Sequence, residues 1–142
     1  MKFQIITPER PVFSEEIKQV SLPTVEGEIT VLPHHVPLVT LLKPGELRYI
    51  KDSQEQTLAV SGGFAEVRPD GSVVILADTA EHAAAIDLTR AEEAKARAEK
   101  LMSEARHRDD VDYTALASKL EKELARLRVG QKYKKIKIHN IG

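Results

Sequence analysis

The sequence predicts an α+β fold in which a strand-rich N-terminal half is followed by an antiparallel hairpin of two helices. Three observations support this fold class. Short alternating or β-branched segments recur through residues 1–80, turn residues separate them, and near Asp78 the apolar period lengthens to three and four. Many short strands at this spacing indicate an antiparallel β-sandwich or a flattened barrel. We expect one domain over residues 1–84 and a second over residues 85–142.

The strands are predicted from alternation and from the residues that punctuate it. Asp70-Gly71 lies between two β-branched segments, and glycine accepts the positive φ of a type I′ turn, so a tight hairpin is expected there. The predicted strands are Lys2–Ile6, Glu16–Leu22, Glu28–Val31, Glu46–Lys51, Gln56–Ser61, Gly63–Arg68 and Ser72–Leu76.

Two helices are predicted after residue 86. Asp87 is the expected N-cap of the first, since its carboxylate can accept orphan N–H groups. The run His107–Asp110 interrupts the pattern, Asp110 or Asp112 caps the second helix, and Gly130 is its expected stop. On the faces predicted to meet, the first helix carries mainly alanine and the second mainly leucine. The residues are Ala91, Ala94, Ala98, Leu101 and Ala105 on the first helix, and Tyr113, Leu116, Leu120, Leu124 and Leu127 on the second. Alanine buries little area, so we expect a weakly held hairpin that can open.

Composition narrows the function classes. The 142 residues include no cysteine, which excludes disulfides and thiolate chemistry, and no apolar run is long enough for a spanning helix. The N-terminus begins directly with alternation and without a signal-peptide core, so we expect a chain that starts in the cytoplasm. Residues 1–80 hold 7 Lys/Arg and 11 Asp/Glu, whereas residues 113–142 hold 8 Lys/Arg and 2 Asp/Glu. The basic C-terminal end indicates an anionic partner. The simpler interpretation is a solvated helix face with a basic terminus.

Motifs of autonomous catalysis are absent from the sequence. It contains no Walker-type loop, no G-x-G-x-x-G, no H-E-x-x-H and no G-x-S-x-G. Adjacent His34 and His35 point to opposite sides of an extended chain, so we expect no metal site. We therefore expect a non-catalytic protein that requires no cofactor.

Cations around the start of the hairpin form a candidate anion site. Arg90 and Arg97 are two turns apart on one side of the first helix, and Lys122 and Arg126 are one turn apart on the second. In a closed hairpin they could converge on a triphosphate, with Glu81 and Asp87 accepting hydrogen bonds from a base or ribose. The simpler alternative is ordinary surface ion pairing.

The basic end also allows a second class of function, a non-catalytic adaptor or nucleic-acid-binding module. Tyr133 is the only aromatic residue among Lys132, Lys134, Lys135 and Lys137, so support for single-strand binding is weak.

Several separated motifs resemble those of the epsilon-subunit family of bacterial F-type ATP synthases, in its ATP-binding Bacillus-like form. The match covers nearly the whole chain and leaves only the last dozen residues without a counterpart. The segments that carry it are Gly27–Leu38, Leu42–Gly45, Ser61–Phe64, Leu76–Ala80 and Leu124–Val129.

This resemblance implies a sandwich of about ten strands and a rotor subunit, at the cytoplasmic face of the membrane, that couples proton flow to ATP synthesis. Its implied partners are the gamma subunit, the c-ring and, when the hairpin extends, an acidic segment of the catalytic β subunits. Glu28 and His35 match c-ring contacts, and extension of the basic helix would inhibit ATP hydrolysis through Lys122, Arg126 and Arg128.

The resemblance also implies ATP as a regulatory ligand that favours the folded hairpin. The family's I/L-D-x-x-R-A motif is present from Ile86 to Ala91. Lys122 stands where ATP-binding relatives carry arginine, which removes bidentate geometry. The implied ATP-binding residues are Glu81, Ile86, Asp87, Arg90, Ala91, Arg97, Lys122 and Arg126.

Overall fold

A computed structural model describes residues 1–105 and 113–141 as ten strands followed by two helices. A single 3₁₀ turn, Ala83–Ala85, joins the two parts. The strands are β1 (Lys2–Thr7), β2 (Arg10–Glu16), β3 (Gln19–Thr24), β4 (Gly27–Val31), β5 (Leu38–Leu42), β6 (Gly45–Lys51), β7 (Gln54–Val60), β8 (Gly63–Val67), β9 (Val73–Ala77) and β10 (Ala80–His82). The helices are α1 (Leu88–Ala105) and α2 (Tyr113–Ile141).

The strands follow one another in the order β10-β7-β6-β3-β5-β8-β9-β1-β2, with β4 on the other edge of β3. All pairs are antiparallel except β1 with β9. Strand β3 pairs with β6 through residues 19–21 and meets β5 at Thr24, so it links the two layers. The predicted α+β class, a β-sandwich with a helical hairpin, is confirmed.

The core lies between the two layers and consists mostly of aliphatic side chains. Alternation along each strand sends one set inward, as in β1, where Phe3 and Ile5 are buried. Its few aromatic rings cluster: Phe3 and Tyr49 have centroids 5.3 Å apart, and Phe13 stands edge-on to both. Phe13 also contacts the His82 ring at 5.8 Å, next to the connection to the helices. The core therefore extends to the point from which the hairpin begins.

Three strands were missed from the sequence: β2, β5 and β10. Strand β5 has apolar residues on both faces, because Val39 and Leu41 point outward while Leu42 is buried, and this hides the two-residue period. Pro11 near the start of β2 argues against a central strand, and β2 is indeed at an edge of the sheet. Strand β10 has only three residues, too few for a pattern.

The tight hairpin predicted at Asp70-Gly71 is confirmed between β8 and β9, but its turn is not of type I′. Gly71 does have a positive φ of 86°, but Arg68 donates to the carbonyl of Ser72, which leaves a three-residue loop. The Asp70 carboxylate instead accepts hydrogen bonds from the N–H and hydroxyl of Ser72, and these hydrogen bonds lower the pKa of Asp70. The consecutive positive φ values of a type I′ turn occur between β6 and β7, at Asp52 (49°) and Ser53 (63°).

The start of the hairpin is as predicted and its end is not. Asp87 immediately precedes α1, and its carboxylate accepts a hydrogen bond from the N–H of Arg90 at 3.2 Å. The predicted interruption at His107–Asp110 and the predicted caps Asp110 and Asp112 lie outside the described residues. Gly130 does not stop α2, which continues to Ile141.

Close packing explains Gly130. A Cβ there would lie 2.7 Å from Leu88 Cδ2 and 3.0 Å from Ile86 Cγ2, so the missing side chain lets α2 approach the start of α1. A tertiary contact therefore requires glycine at this position inside the helix. In the sequence alone, the same glycine resembles a helix stop.

The seam between the helices is tight at the foot and loose towards the far end. Ala91, Ala98 and Ala125 are buried at the foot. Leu101 and Tyr113, both predicted to pack in the seam, are 44% and 42% exposed. A gap of about 250 Å³ opens between the helices there, lined by Glu99, Met102, Ser103, Tyr113 and Leu120.

Candidate functional site

The candidate site lies at the foot of the hairpin, where α2 packs on the edge of the sandwich. Strand β10 pairs with β7, the 3₁₀ turn follows, and Ile86 returns to an extended conformation before α1. Val129 of α2 packs there with Ala59 of β7 and Ala83. Ile86 and Tyr133 border this small apolar cluster. The cluster fixes the middle of α2 against the sandwich and so brings its cations to the acidic edge of β10.

The central contact is a bidentate ion pair between Arg126 and Glu81. Arg126 donates from Nε at 2.7 Å and from Nη2 at 3.1 Å to the two carboxylate oxygens, and both side chains are 26% exposed. The hydrogen bond to Glu81 raises the pKa of Arg126, and the nearby charges add to the effect. Glu123, one turn before Arg126, lies 3.7 Å from Nη1, and its Oε2 is buried without a hydrogen-bond partner. Arg126 therefore lies between two carboxylates.

Lys122 makes a second, longer contact with the sandwich, 3.5 Å from the carboxylate of Asp78. Between the two ion pairs lies a cavity of about 130 Å³. The N–H of Thr79 donates to the hydroxyl of Ser61 at 2.7 Å across its floor. The lining combines two cations, two carboxylates and two hydroxyls with a short apolar wall: Lys122, Arg126, Glu81, Glu123, Ser61, Thr79, Ala59 and Val60.

Some side chains of the motif from Ile86 to Ala91 are packed in the fold, and others are exposed to solvent. Ala91 is fully buried, Ile86 is half-buried against Gly130, and Asp87 caps α1. The side chain of Arg90 is 81% exposed and lies 3.7 Å from the Asp87 carboxylate. Arg97 is also exposed. Of the residues predicted to bind ATP, Glu81, Lys122 and Arg126 line the cavity, whereas Arg90 and Arg97 lie outside its lining.

The residues predicted to contact the c-ring lie elsewhere on the sandwich. Glu28 is exposed on β4 and accepts a hydrogen bond from Arg48 at 2.7 Å. His35 is half-buried in the β4–β5 loop, where its Nδ1 lies 2.7 Å from the carbonyl of Val36. Preceding it, His34 has a positive φ of 70°. Arg128, predicted to contact a β subunit, is exposed on α2.

Sequence reasoning missed the partners of the cations. Asp78 and Glu123 were not singled out, although each contacts one of the predicted basic residues. An available signal was the spacing of Glu123 and Arg126, because residues three apart on a helix are neighbours. The Asp78–Lys122 pair joins residues that only the folded chain brings together.

A second surface feature is a row of apolar side chains on the outer face of the sandwich. Leu41, Phe64 and Leu76 are directly opposite one another on β5, β8 and β9, and each is about half exposed (49%, 51% and 49%). Val39, two residues before Leu41, is 70% exposed. Exposed rows of this kind mark surfaces that contact another protein.

Within the part of the chain that the structure describes, no helix is long and apolar enough to span a membrane. Nor do three or more His, Asp or Glu side chains gather to hold a metal ion in residues 1–105 and 113–141.

Two family models match the chain consecutively. Residues 1–83 match the beta-sandwich domain of the ATP synthase delta/epsilon chain, and residues 85–131 match its long alpha-helix domain. The chain is similar to ATP synthase epsilon chains from several bacteria. It is 47% identical over 135 residues to that of Dehalococcoides mccartyi, covering 95% of both chains. It is 48% identical over 132 residues to that of Chloroflexus aggregans, covering 92% of both.

Solved structures share the fold. A chain of the Euglena gracilis mitochondrial ATP synthase superposes with a TM-score of 0.72 at 24% identity, covering 87% of this chain and 76% of that one. A chain of the Tetrahymena thermophila central stalk and c-ring gives 0.56 at 12% identity, covering 93% and 94%. Both parts of the chain match the family and the relatives span nearly its full length, so the chain belongs to the ATP synthase epsilon-chain family.

Proposed function

We propose that this chain is the central-stalk subunit of a bacterial F-type ATP synthase, where it couples proton flow to ATP synthesis from the cytoplasmic face of the membrane. Family membership supports the proposal, since the relatives are named ATP synthase epsilon chains and form a non-catalytic part of that complex. The Euglena and Tetrahymena structures that share the fold contain a c-ring.

The outer face of the sandwich supports docking on the gamma subunit. The row formed by Val39, Leu41, Phe64 and Leu76 exposes apolar side chains in register across three strands. Burying such a row stabilises a complex by about 25 cal/mol per Å² of apolar surface. Glu28 and the His35 loop offer polar side chains to the c-ring at a separate place on the sandwich. The two surfaces together suit a subunit that joins a stalk to a ring.

The hairpin is the proposed inhibitory element, and one observation carries this proposal: its cations are paired with acidic residues of the sandwich. Arg126 contacts Glu81, Lys122 contacts Asp78, and Lys132 contacts Glu46. A hairpin that leaves the sandwich exposes these cations, and an acidic segment of a β subunit then replaces the carboxylates. The same side chains therefore serve either the folded or the extended hairpin, and Arg128 adds to the basic surface.

Removal of residues 87–142 tests the inhibitory role. We expect ATP hydrolysis by the complex to rise, because no basic helix remains to reach the β subunits. Unchanged hydrolysis would overturn inhibition and leave the coupling role standing.

ATP is the proposed ligand of the hairpin foot, where it stabilises the folded form. Lys122 and Arg126 lie at the cavity, and Arg90 at the start of α1 is 81% exposed and therefore available to phosphate oxygens. Because Arg126 and Lys122 already form ion pairs, the nucleotide competes with the carboxylates of Glu81 and Asp78. In addition, Lys122 supplies a point charge and not the two parallel hydrogen bonds that an arginine could donate. This competition predicts weaker binding than a site with free arginines.

Isothermal titration of the full chain with ATP tests this site. We expect saturable one-to-one binding that is lost in Arg90→Ala, because that guanidinium is the cation of the motif and its side chain is 81% exposed. Arg128→Ala is the matched control, since it also removes an exposed helical arginine but lies outside the motif from Ile86 to Ala91. Absence of binding at millimolar ATP would overturn the ligand proposal, and equal loss in both variants would overturn the assignment to this site.

A further inference from the structure

Four charged residues form a continuous chain of ion pairs from the predicted c-ring contact to the hairpin. Arg48 on β6 reaches across β3, and its Nη2 lies 2.7 Å from Oε1 of Glu28 on β4. The Nε of the same guanidinium lies 3.4 Å from Oε1 of Glu46. Lys132 of α2 donates to both oxygens of Glu46, at 3.1 and 3.2 Å. The chain of contacts thus joins residues 28 and 132.

Glu46 is in contact with both cations of this chain of ion pairs, Arg48 and Lys132. Its Oε1 lies near both Arg48 Nε and Lys132 Nζ, so two cations share one oxygen. Arg48 Nε is buried and has no hydrogen-bond partner, which leaves a donor beside a carboxylate that it does not yet bond. A small movement of the guanidinium would give the parallel, two-bond geometry that arginine forms with carboxylates. What holds Arg48 away from that geometry is its short hydrogen bond to Glu28.

We propose that Glu28, Arg48, Glu46 and Lys132 form an ion-pair relay through which engagement of Glu28 loosens the hairpin. When an external donor takes over the carboxylate of Glu28, Arg48 turns to Glu46 and binds it with two hydrogen bonds. Lys132 then loses its share of the carboxylate, because one carboxylate cannot satisfy a bidentate guanidinium and an ammonium equally. The contact between the second helix and the sandwich weakens at that end.

Lys132 is well placed to act on the hairpin as a whole. It lies beside Tyr133 and one turn after Val129, the residue of α2 that is buried in the apolar cluster with Ala59 and Ala83. A groove of about 410 Å³ separates the sandwich from α2 on this side, and Glu28, Glu46 and Val129 all line it. Around this groove, the ion pair between Lys132 and Glu46 helps the small apolar cluster to hold α2 against the sandwich.

The relay rests on the proposed function for the identity of the donor to Glu28, a polar loop of the c-ring, but its internal coupling is a property of the isolated chain. The chain has no cysteine, so a single Val129→Cys substitution makes hairpin opening measurable. Val129 is 3% exposed, and a thiol there reacts with a small reagent only when α2 leaves the sandwich. The labelling rate then follows the open population.

Four further substitutions in this full-length background test the relay. We expect Glu28→Gln to raise the labelling rate about twofold and Lys132→Gln about threefold, as suits partly exposed ion pairs. Arg48→Gln should slow labelling about twofold, because it removes the competitor of Lys132. Glu26→Gln is the matched control: it removes the same charge from the neighbouring turn, outside the relay, and should leave the rate unchanged.

The decisive comparison is the double variant. Glu28→Gln should have no further effect when Arg48 is already glutamine, since the signal passes through that guanidinium. An equal twofold effect with and without Arg48 would mean simple charge attraction and would overturn the relay, as would no effect of Glu28→Gln alone. Thermal unfolding of each variant checks that the sandwich remains folded. Because this readout needs neither the complex nor ATP, its failure leaves the proposed function intact, and unchanged hydrolysis after deletion leaves the relay intact.

Discussion

The sandwich and the hairpin are held by different kinds of contact. In the sandwich, large side chains such as Phe3, Leu22, Leu47 and Tyr49 are almost completely buried between two layers. In the hairpin seam, Ala91, Ala98 and Ala125 are buried at the foot, whereas Leu101 towards the far end is 44% exposed. Since the hydrophobic contribution scales with apolar area, the seam stabilises far less than the core.

Ion pairs compensate for the small seam. Three of them fasten α2 to the sandwich, from Lys122, Arg126 and Lys132, and all are at least partly exposed. Exposed pairs contribute about 0 to 1 kcal/mol each and can exchange partners, whereas a packed core cannot. One chain thus combines a rigid sandwich with a hairpin that can leave it. Buried apolar surface stabilises the sandwich, whereas exchangeable ion pairs hold the hairpin.

One buried leucine in each part tests whether the sandwich and the hairpin unfold separately. Leu47→Ala should lower the free energy of unfolding by about 3 kcal/mol, because Leu47 is fully buried and leaves a cavity. Leu127→Ala, at a position 6% exposed on α2, should leave sandwich unfolding unchanged and increase hydrogen exchange only in the helices.

Chemical denaturation followed by circular dichroism measures the first effect, and hydrogen exchange measures the second. Leu41→Ala on the outer face is the control for leucine removal, since its side chain is 49% exposed. If Leu127→Ala destabilised the sandwich as much as Leu47→Ala, the two parts would form one cooperative unit and the comparison would fail.

Alkaline pH should weaken the sandwich selectively. Burial, followed by the nearby Glu15 carboxylate, raises the pKa of Tyr49 from 10.0 to about 12. The folded state therefore retains the phenol proton longer than the unfolded state, so this contribution to stability is intact below pH 10 and is lost between pH 10 and 12. The loss should be about 2–3 kcal/mol. Denaturant titrations across this range measure it, and Tyr49→Phe should reduce the slope; an unchanged slope would mean that other groups cause it.

Gly130 allows the close approach of α2 to the start of α1. Gly130→Leu should weaken the packing of α2 on Ile86 and Leu88 by about 1–2 kcal/mol, because an added side chain has no room there. The thiol-labelling rate at residue 129 should rise while the melting temperature of the sandwich stays constant. Gln131→Leu, at the neighbouring exposed position, provides the control. Equal rates in both variants would show that the glycine is not needed for packing.

Local signals predicted most of the fold. The change of period near residue 78 and the cap at Asp87 depend on neighbouring residues only, and both appear in the structure. Strand β5 was missed because its outer face also carries apolar side chains, and Gly130 was misread because a tertiary contact with Leu88 and Ile86 requires it. A pattern within one segment does not record what a distant segment brings against it.

The candidate site follows the same rule. Spacing predicted which cations share a face, and Lys122 and Arg126 do line one cavity. It could not predict that Arg126 would bind Glu81, 45 residues earlier, or that Glu46 would bind Lys132, 86 residues later. The roles of these residues toward ATP, the c-ring and the β subunits stay predictions for the experiments above.

The single parallel pairing, β1 with β9, has a consequence for synthesis. Phe3 pairs with Val73 and Ile5 with Ile75, so β1 is synthesised well before β9, the strand that occupies its inner edge. Until then β1 is paired only with β2, and its other edge lacks a partner. Closure of the sandwich therefore cannot precede the synthesis of β9, which ends at Ala77. The helical hairpin needs β7 and β10 as its seat, so it docks only after those strands have formed.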